Sequence, residues 1–134
     1  MEAPKYEFSE AENQTITTLA SRMKWVGFFL LVIGGVIGLA SAAFLVKSLL
    51  ESALELFALI FLLFAVIFLL VGIWTSSAAK SFSLIAATSG SDLGNLMNAL
   101  ISLLKLYYLQ FWLIIDSLIV AAIVSLILYN MNLL

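Results

Sequence analysis

Three long apolar stretches constrain this chain more than any other feature. The first has no charged residue from Trp25 to Val46, the second has none from 56 to 74, and the third covers 106–131 with Asp116 as its single charged side chain. A helix of about 20 apolar residues, rising about 1.5 Å per residue, crosses a hydrocarbon core of about 30 Å. The sequence therefore predicts an all-α integral membrane protein with three transmembrane helices.

The composition agrees with this prediction. Of the 134 residues, 64% are hydrophobic and only 10% are charged, whereas an average soluble domain carries about 25% charged residues. We predict a polar N-terminal tail at 1–14 and a single membrane domain at 15–134, with spans at 25–47, 53–75 and 106–131. The first twenty residues hold four glutamates and no apolar run, so we expect no cleavable leader.

Small residues recur every seven positions in the first two spans. Residues with such spacing let two helices approach closely in a membrane. If the two sets pair in opposite order, the spans form a tight antiparallel hairpin that folds back at Leu49 and Leu50, with its turn built on Lys47 and Ser48. The expected pairs are Gly27 with Gly72, Gly34 with Ala65, and Ser41 with Ala58.

Gly34 and Gly38 also form a GxxxG pattern. Such a pattern brings helix backbones together, but it does not say which helix is the neighbour. If it faces the second span, it is part of the hairpin; if it faces outward, it binds a second copy or another protein. Both alternatives are open at this point.

The segment between the second and third spans, 76–105, predicts helices that extend beyond the membrane. The second helix continues to about Thr88, a break follows at 89–92, and Ser91 or Asp92 is suited to cap a new helix. A continuous helix from Asp92 through the third span would be about 60 Å long. Either a bend at 105–110 or a second helical hairpin accounts for the length beyond the bilayer. This second hairpin would consist of the end of the second helix and the start of the third, and would protrude from the membrane; we favour it.

The new helix after this break is amphipathic. Apolar side chains repeat at helical spacing on one face, so the segment should lie at the membrane interface or pack on the extended second helix. These side chains are Leu93, Leu96, Met97, Leu100 and Leu104.

The distribution of basic residues predicts the orientation. Five of the six Lys and Arg residues flank one side of the three spans, and only Lys47 lies in the first loop. The positive-inside rule then places the N-terminus in the cytoplasm and the C-terminus outside, and the tryptophans fall at the cytoplasmic interface. The predicted interface anchors are Arg22, Lys24, Trp25, Trp74, Lys80, Lys105 and Trp112.

Three segments carry a resemblance to a known family: the basic and aromatic entry at 22–25, the segment 78–85, and the segment 92–105. Over these segments the chain resembles a family of small three-span bacterial membrane proteins that is described only as a domain of unknown function. The resemblance implies the three-span topology. It implies no activity. We separately expect the chain to lie in a bacterial inner membrane, or in an internal energy-transducing one.

The residues that the chain lacks exclude several function classes. It contains no cysteine and no histidine, which removes disulfides, thiolate metal sites, histidine-ligated haem or zinc, and the Ser/His/Asp triad. The net charge is −2, and the Lys and Arg residues do not form a basic stripe, so nucleic-acid binding is not indicated. We expect no catalytic residue, no cofactor and no metal site, and therefore no enzyme.

Asp116 is the residue that most suggests a function. It lies about 15 Å into the third span, where an acidic side chain costs about 2.5–3.5 kcal/mol. The carboxyl group could be protonated and hydrogen-bonded to Ser117, Ser41 or a carbonyl, could contact a cationic partner, or could form a proton or cation site. Gln110 and Ser117 belong to a polar and small stripe beside it, which is typical of helix packing.

Together these features favour a non-enzymatic accessory, assembly or stabilising subunit of a larger membrane protein complex, photosynthetic or respiratory complexes included. The expected partners are that complex or further copies of the chain, together with the lipid bilayer. The alternative is a small homo-oligomeric ion or proton channel or transporter that uses Asp116.

Overall fold

The computed structural model describes residues 7–51, 56–88, 90 and 92–130, and this part of the chain is helical apart from short connections. The helices are α1 (Glu10–Leu50), α2 (Leu56–Ala87) and α3 (Asp92–Asn130). All three are long and apolar enough to cross a membrane. Their 41, 32 and 39 residues correspond to about 60, 48 and 58 Å, well above a core of about 30 Å. The prediction of an all-α chain with three apolar helices is confirmed.

Helix α1 begins with a capping box. The Ser9 side chain accepts a hydrogen bond from the Glu12 amide at 3.4 Å, and the Glu12 carboxylate accepts one from the Ser9 amide at 2.7 Å. The bonds from the Ser9 amide and hydroxyl lower the pKa of Glu12 below its ordinary value. Residues 10–14, which the sequence assigns to a polar tail, therefore belong to α1.

Helix α1 ends later than the sequence suggests. Lys47 and Ser48 lie within α1, the Glu51 amide donates to the Lys47 carbonyl at 3.0 Å, and Lys47 pairs with the Glu51 carboxylate at 3.8 Å. The expected turn at Lys47 and Ser48 is wrong, because Ser48 is buried as the next small residue of the seven-residue series. The connection therefore begins at Glu51, and 52–55 lie outside the described residues.

The connection between α2 and α3 is short. The Thr88 amide and hydroxyl both donate to the Leu84 carbonyl, at 3.0 and 2.6 Å. Gly90 adopts a φ of 77°, a left-handed conformation that glycine accepts without steric cost. Helix α3 then starts at Asp92 and continues without interruption to Asn130, including the 105–110 segment where a bend was considered.

Helix α2 contacts both of the other helices. Its C-terminal part meets α1 and the beginning of α3 in one cluster, to which α1 contributes Ala20 and α3 contributes Ala99. The Ser102 hydroxyl donates to the Ser77 hydroxyl at 3.3 Å in the same region. A cluster of buried apolar side chains therefore lies at the end where the three helices meet, and α2 contributes Ala78, Phe82 and Ile85 to it.

Candidate functional site

The interface between α1 and α2 is built from small residues at seven-residue spacing. The buried residues of α1 and those along the facing side of α2 include every predicted pair and extend the series by Ala20, Ser48 and Ala79. These three residues were not predicted as members of the interface, although they continue the same spacing. The predicted members are Gly27, Gly34, Ser41, Ala58, Ala65 and Gly72.

The glycines of this interface allow the two backbones to touch. A Cβ added to Gly27 would lie 3.1 Å from the Gly72 carbonyl oxygen, and one added to Gly34 would lie 3.1 Å from the Ala65 carbonyl oxygen. The structure thus brings these predicted pairs together in opposite order along the helices. Ser41 and Ala58, the third pair, line one apolar groove of about 360 Å³.

The GxxxG pattern faces α2. A Cβ on Gly38 would lie 3.5 Å from the Ala65 Cβ, while a Cβ on the adjacent Gly35 would meet nothing within 4 Å. Gly34 and Gly38 therefore both lie toward Ala65. Of the two alternatives for this pattern, the structure places it inside the α1–α2 interface.

The first part of α3 packs through a different face from the one that carries most of its leucines. Leu93 is 64% exposed and Leu104 is 67% exposed, whereas Asp92, Ala99 and Ser102 are buried. Alanine and serine let α3 approach α2 closely, so they occupy the contact. The leucine stripe, of which only Leu96 is partly buried, points away from α2; its exposed members are Leu93, Met97, Leu100 and Leu104.

The part of α3 that the sequence predicts to span the membrane, 106–130, is here called its membrane half. It exposes all three predicted polar residues, Gln110, Asp116 and Ser117. The Ser117 hydroxyl donates to the Ile114 carbonyl at 2.8 Å, and the Ser41 hydroxyl donates to the Ile37 carbonyl at 2.7 Å. Neither hydroxyl donates to Asp116. Within the described ranges the Asp116 carboxyl group has no hydrogen bond and no ion pair, so this part of the chain does not supply the internal partner that one alternative requires.

Asp116 also lies apart from the other two polar residues. Gln110 and Ser117 line one shallow groove with Leu113 and Ile114. Asp116 is one residue from Ser117 and thus about 100° around the helix. The three residues therefore do not form one polar stripe that could line a single path.

Asp92 has a structural role that the sequence does not signal. Its carboxylate, on a residue that is 3% exposed, accepts a hydrogen bond from the Phe8 amide at 3.0 Å. The Asn13 side chain donates to the Phe8 carbonyl at 3.2 Å. The backbone of Phe8 thus connects the start of α1 to the start of α3, 84 residues away.

The predicted interface anchors are mostly exposed. Trp25 is 59% exposed and contacts the Phe28 and Phe29 rings, each at 6.1 Å between centroids, and Trp112 is 47% exposed beside Tyr108 and Phe111. Trp74 is half-buried, and the four basic anchors, Arg22, Lys24, Lys80 and Lys105, are exposed.

No family model, no curated protein and no solved structure matches this chain. The resemblance to a family of small bacterial membrane proteins stays a prediction. Among the described residues there is no group of three or more acidic, histidine or cysteine side chains that could hold a metal ion.

Proposed function

We propose that this chain is a non-enzymatic accessory subunit that assembles or stabilises a larger membrane protein complex and binds it through α3. The proposed setting is a bacterial inner membrane or an internal energy-transducing membrane. Helices α1 and α2 form the membrane hairpin that serves as scaffold, and the N-terminus and the connection between α2 and α3 face the cytoplasm.

The observation that carries this proposal is the unpaired, exposed Asp116 on an apolar helix. An acidic side chain near the bilayer centre costs about 2.5–3.5 kcal/mol when lipid surrounds it. A partner helix that supplies a cation or a hydrogen-bond donor would offset this cost. Ser41 and Ser117, the hydroxyl groups considered as internal donors, bind carbonyls of their own helices instead.

The exposed stripe on the first part of α3 offers a partner a second surface, about 130° around the helix from Asp116. In the proposed arrangement 92–105 lies outside the hydrocarbon core, so the acyl chains that surround the span do not cover it. Leu93, Met97 and Leu104 are all more than half exposed. A partner that contacts α3 on both of these faces would cover the stripe and Asp116 together.

The alternative is a homo-oligomeric ion or proton channel in which Asp116 lines the path. It rests on the same unpaired carboxyl group, which further copies of the chain could surround. Proton or monovalent cation flux into liposomes that contain the purified chain, lost in Asp116→Asn, would favour this alternative over the accessory role.

We expect Asp116→Leu to abolish recovery of the partner complex after solubilisation in mild detergent and affinity purification, because the partner's donor is left unpaired. Quantitative mass spectrometry of the co-purified proteins measures this. Ser117→Ala is the matched control, since this hydroxyl bonds its own helix, and it should leave recovery unchanged. A wild-type chain that purifies as a discrete monomer would contradict the proposal.

A further inference from the structure

A second groove lies between α1 and α2, at the end of the interface away from the first loop. Its volume is about 520 Å³, and the small side chains of Ala20 and Ala79 lie along it. Two lysines line it from opposite helices, Lys24 on α1 and Lys80 on α2. The remaining lining residues carry hydroxyl groups: Thr17, Ser21, Ser76 and Ser83.

The charges of this groove are not neutralised within the described chain. No carboxylate lines the groove, and the one ion pair found among the described residues joins Lys47 and Glu51, far from it. Both Lys24 and Lys80 are exposed. Two ammonium groups on facing helices therefore share one cleft that holds no counter-charge of its own.

The hydroxyl groups divide into two kinds. Thr17 donates to the Asn13 carbonyl at 2.8 Å, and Ser83 donates to the Lys80 carbonyl at 2.8 Å. Ser21 and Ser76 have no such bond among the described residues. Their hydroxyl groups can donate to an anion that enters the cleft between the lysines.

The groove lies next to two tryptophans that are predicted to lie at the membrane interface. Lys24 and Ser76, which both line it, are within two residues of Trp25 and Trp74. Tryptophan concentrates at the level of lipid headgroups. A groove that opens beside these side chains is therefore at the depth of lipid phosphates, whichever side of the membrane it faces.

We infer that this groove binds the phosphate group of an anionic membrane lipid, with Lys24 and Lys80 as the cationic clamp and Ser21 and Ser76 as hydroxyl donors. A phosphodiester with a net charge of −1 complements the two lysines, whereas a zwitterionic lipid brings its own cation. Each lysine near an anionic bilayer surface contributes about fivefold to affinity. The lipid would thereby join α1 to α2 where the hairpin leaves the membrane.

The test uses the full chain purified in a maltoside detergent and titrated with phosphatidylglycerol, with the lipid-bound fraction measured by native mass spectrometry. We expect wild type to bind phosphatidylglycerol in preference to phosphatidylcholine with the same acyl chains. The double variant Lys24→Gln/Lys80→Gln should bind roughly 30-fold more weakly. Lys47→Gln and Lys105→Gln should match wild type, because neither residue lines the groove.

Unchanged phosphatidylglycerol binding by the double variant would overturn the inference, as would an equal loss in Lys105→Gln. Inorganic phosphate should not displace the lipid at millimolar concentration; if it does so in wild type, the free ion rather than the lipid is the ligand. Both lysines are exposed, so thermal unfolding of the double variant without lipid should equal that of wild type. The assay contains no partner protein, so its outcome is independent of the proposed accessory role.

Discussion

Gly34→Leu should separate α1 from α2 and lower the free energy of unfolding by about 3 kcal/mol, at the upper end of the cost of overpacking a core. A Cβ at this position would already lie 2.9 Å from the Leu69 Cγ and 3.0 Å from the Leu69 amide nitrogen. The Leu69 amide nitrogen belongs to the backbone of α2 and cannot move away as the end of a flexible side chain can. Reversible unfolding of the purified chain in mixed micelles measures the loss.

Gly35→Leu is the matched control for this substitution. The two glycines are adjacent in α1, but a Cβ added to Gly35 would meet nothing within 4 Å. Leucine also favours the helix over glycine by somewhat less than about 1 kcal/mol. The control should therefore unfold at or slightly above the wild-type midpoint, and an equal loss in both variants would contradict the close approach of α1 and α2 at Gly34.

Asp92→Ala should release the N-terminal segment from α3. The substitution removes the buried acceptor of the Phe8 amide, and a lost buried hydrogen bond costs about 1–3 kcal/mol. Local opening should increase accordingly, so that the Phe8 amide exchanges with solvent about 5–150-fold faster. Hydrogen–deuterium exchange of the segment that contains Phe8 and the first turn of α1 measures this change.

Two variants control for the loss of charge at a helix start. Glu10→Ala removes an exposed acid from the first turn of α1 and should leave exchange of the Phe8 amide unchanged. Asp92→Asn keeps an oxygen acceptor and should protect this amide better than Asp92→Ala does. If Asp92→Ala and Glu10→Ala give the same exchange, Asp92 does not hold the segment.

The contacts between α1 and α2 could be predicted because small residues mark close contact in a membrane. Gly27 and Gly72, and Gly34 and Ala65, meet as their spacing indicates. Ser9 and Glu12 also stand at capping-box spacing and mark the start of α1, although the polar tail predicted at 1–14 extends past this point. Both signals depend on residue types at fixed spacing, which the sequence displays directly.

The packing of α3 could not be predicted from its amphipathic pattern. In a soluble protein the stripe that includes Leu93 and Leu100 would be the buried face, but lipid or a partner can cover leucine in a membrane protein. The contact with α2 instead uses Ala99 and Ser102. The hydrogen bond between Phe8 and Asp92 joins residues 84 positions apart, and no local sequence pattern predicts such a contact.

Site-specific photo-crosslinking in intact membranes tests most directly whether a partner protein covers the membrane half of α3. A photoreactive amino acid at Ile119, which is 52% exposed and one turn from Asp116, is compared with one at Leu39, which is 76% exposed on α1. We expect an adduct of discrete mass with a different protein from Ile119 and none from Leu39. Adducts with lipid alone at both positions, or with a second copy of this chain, would contradict the accessory role.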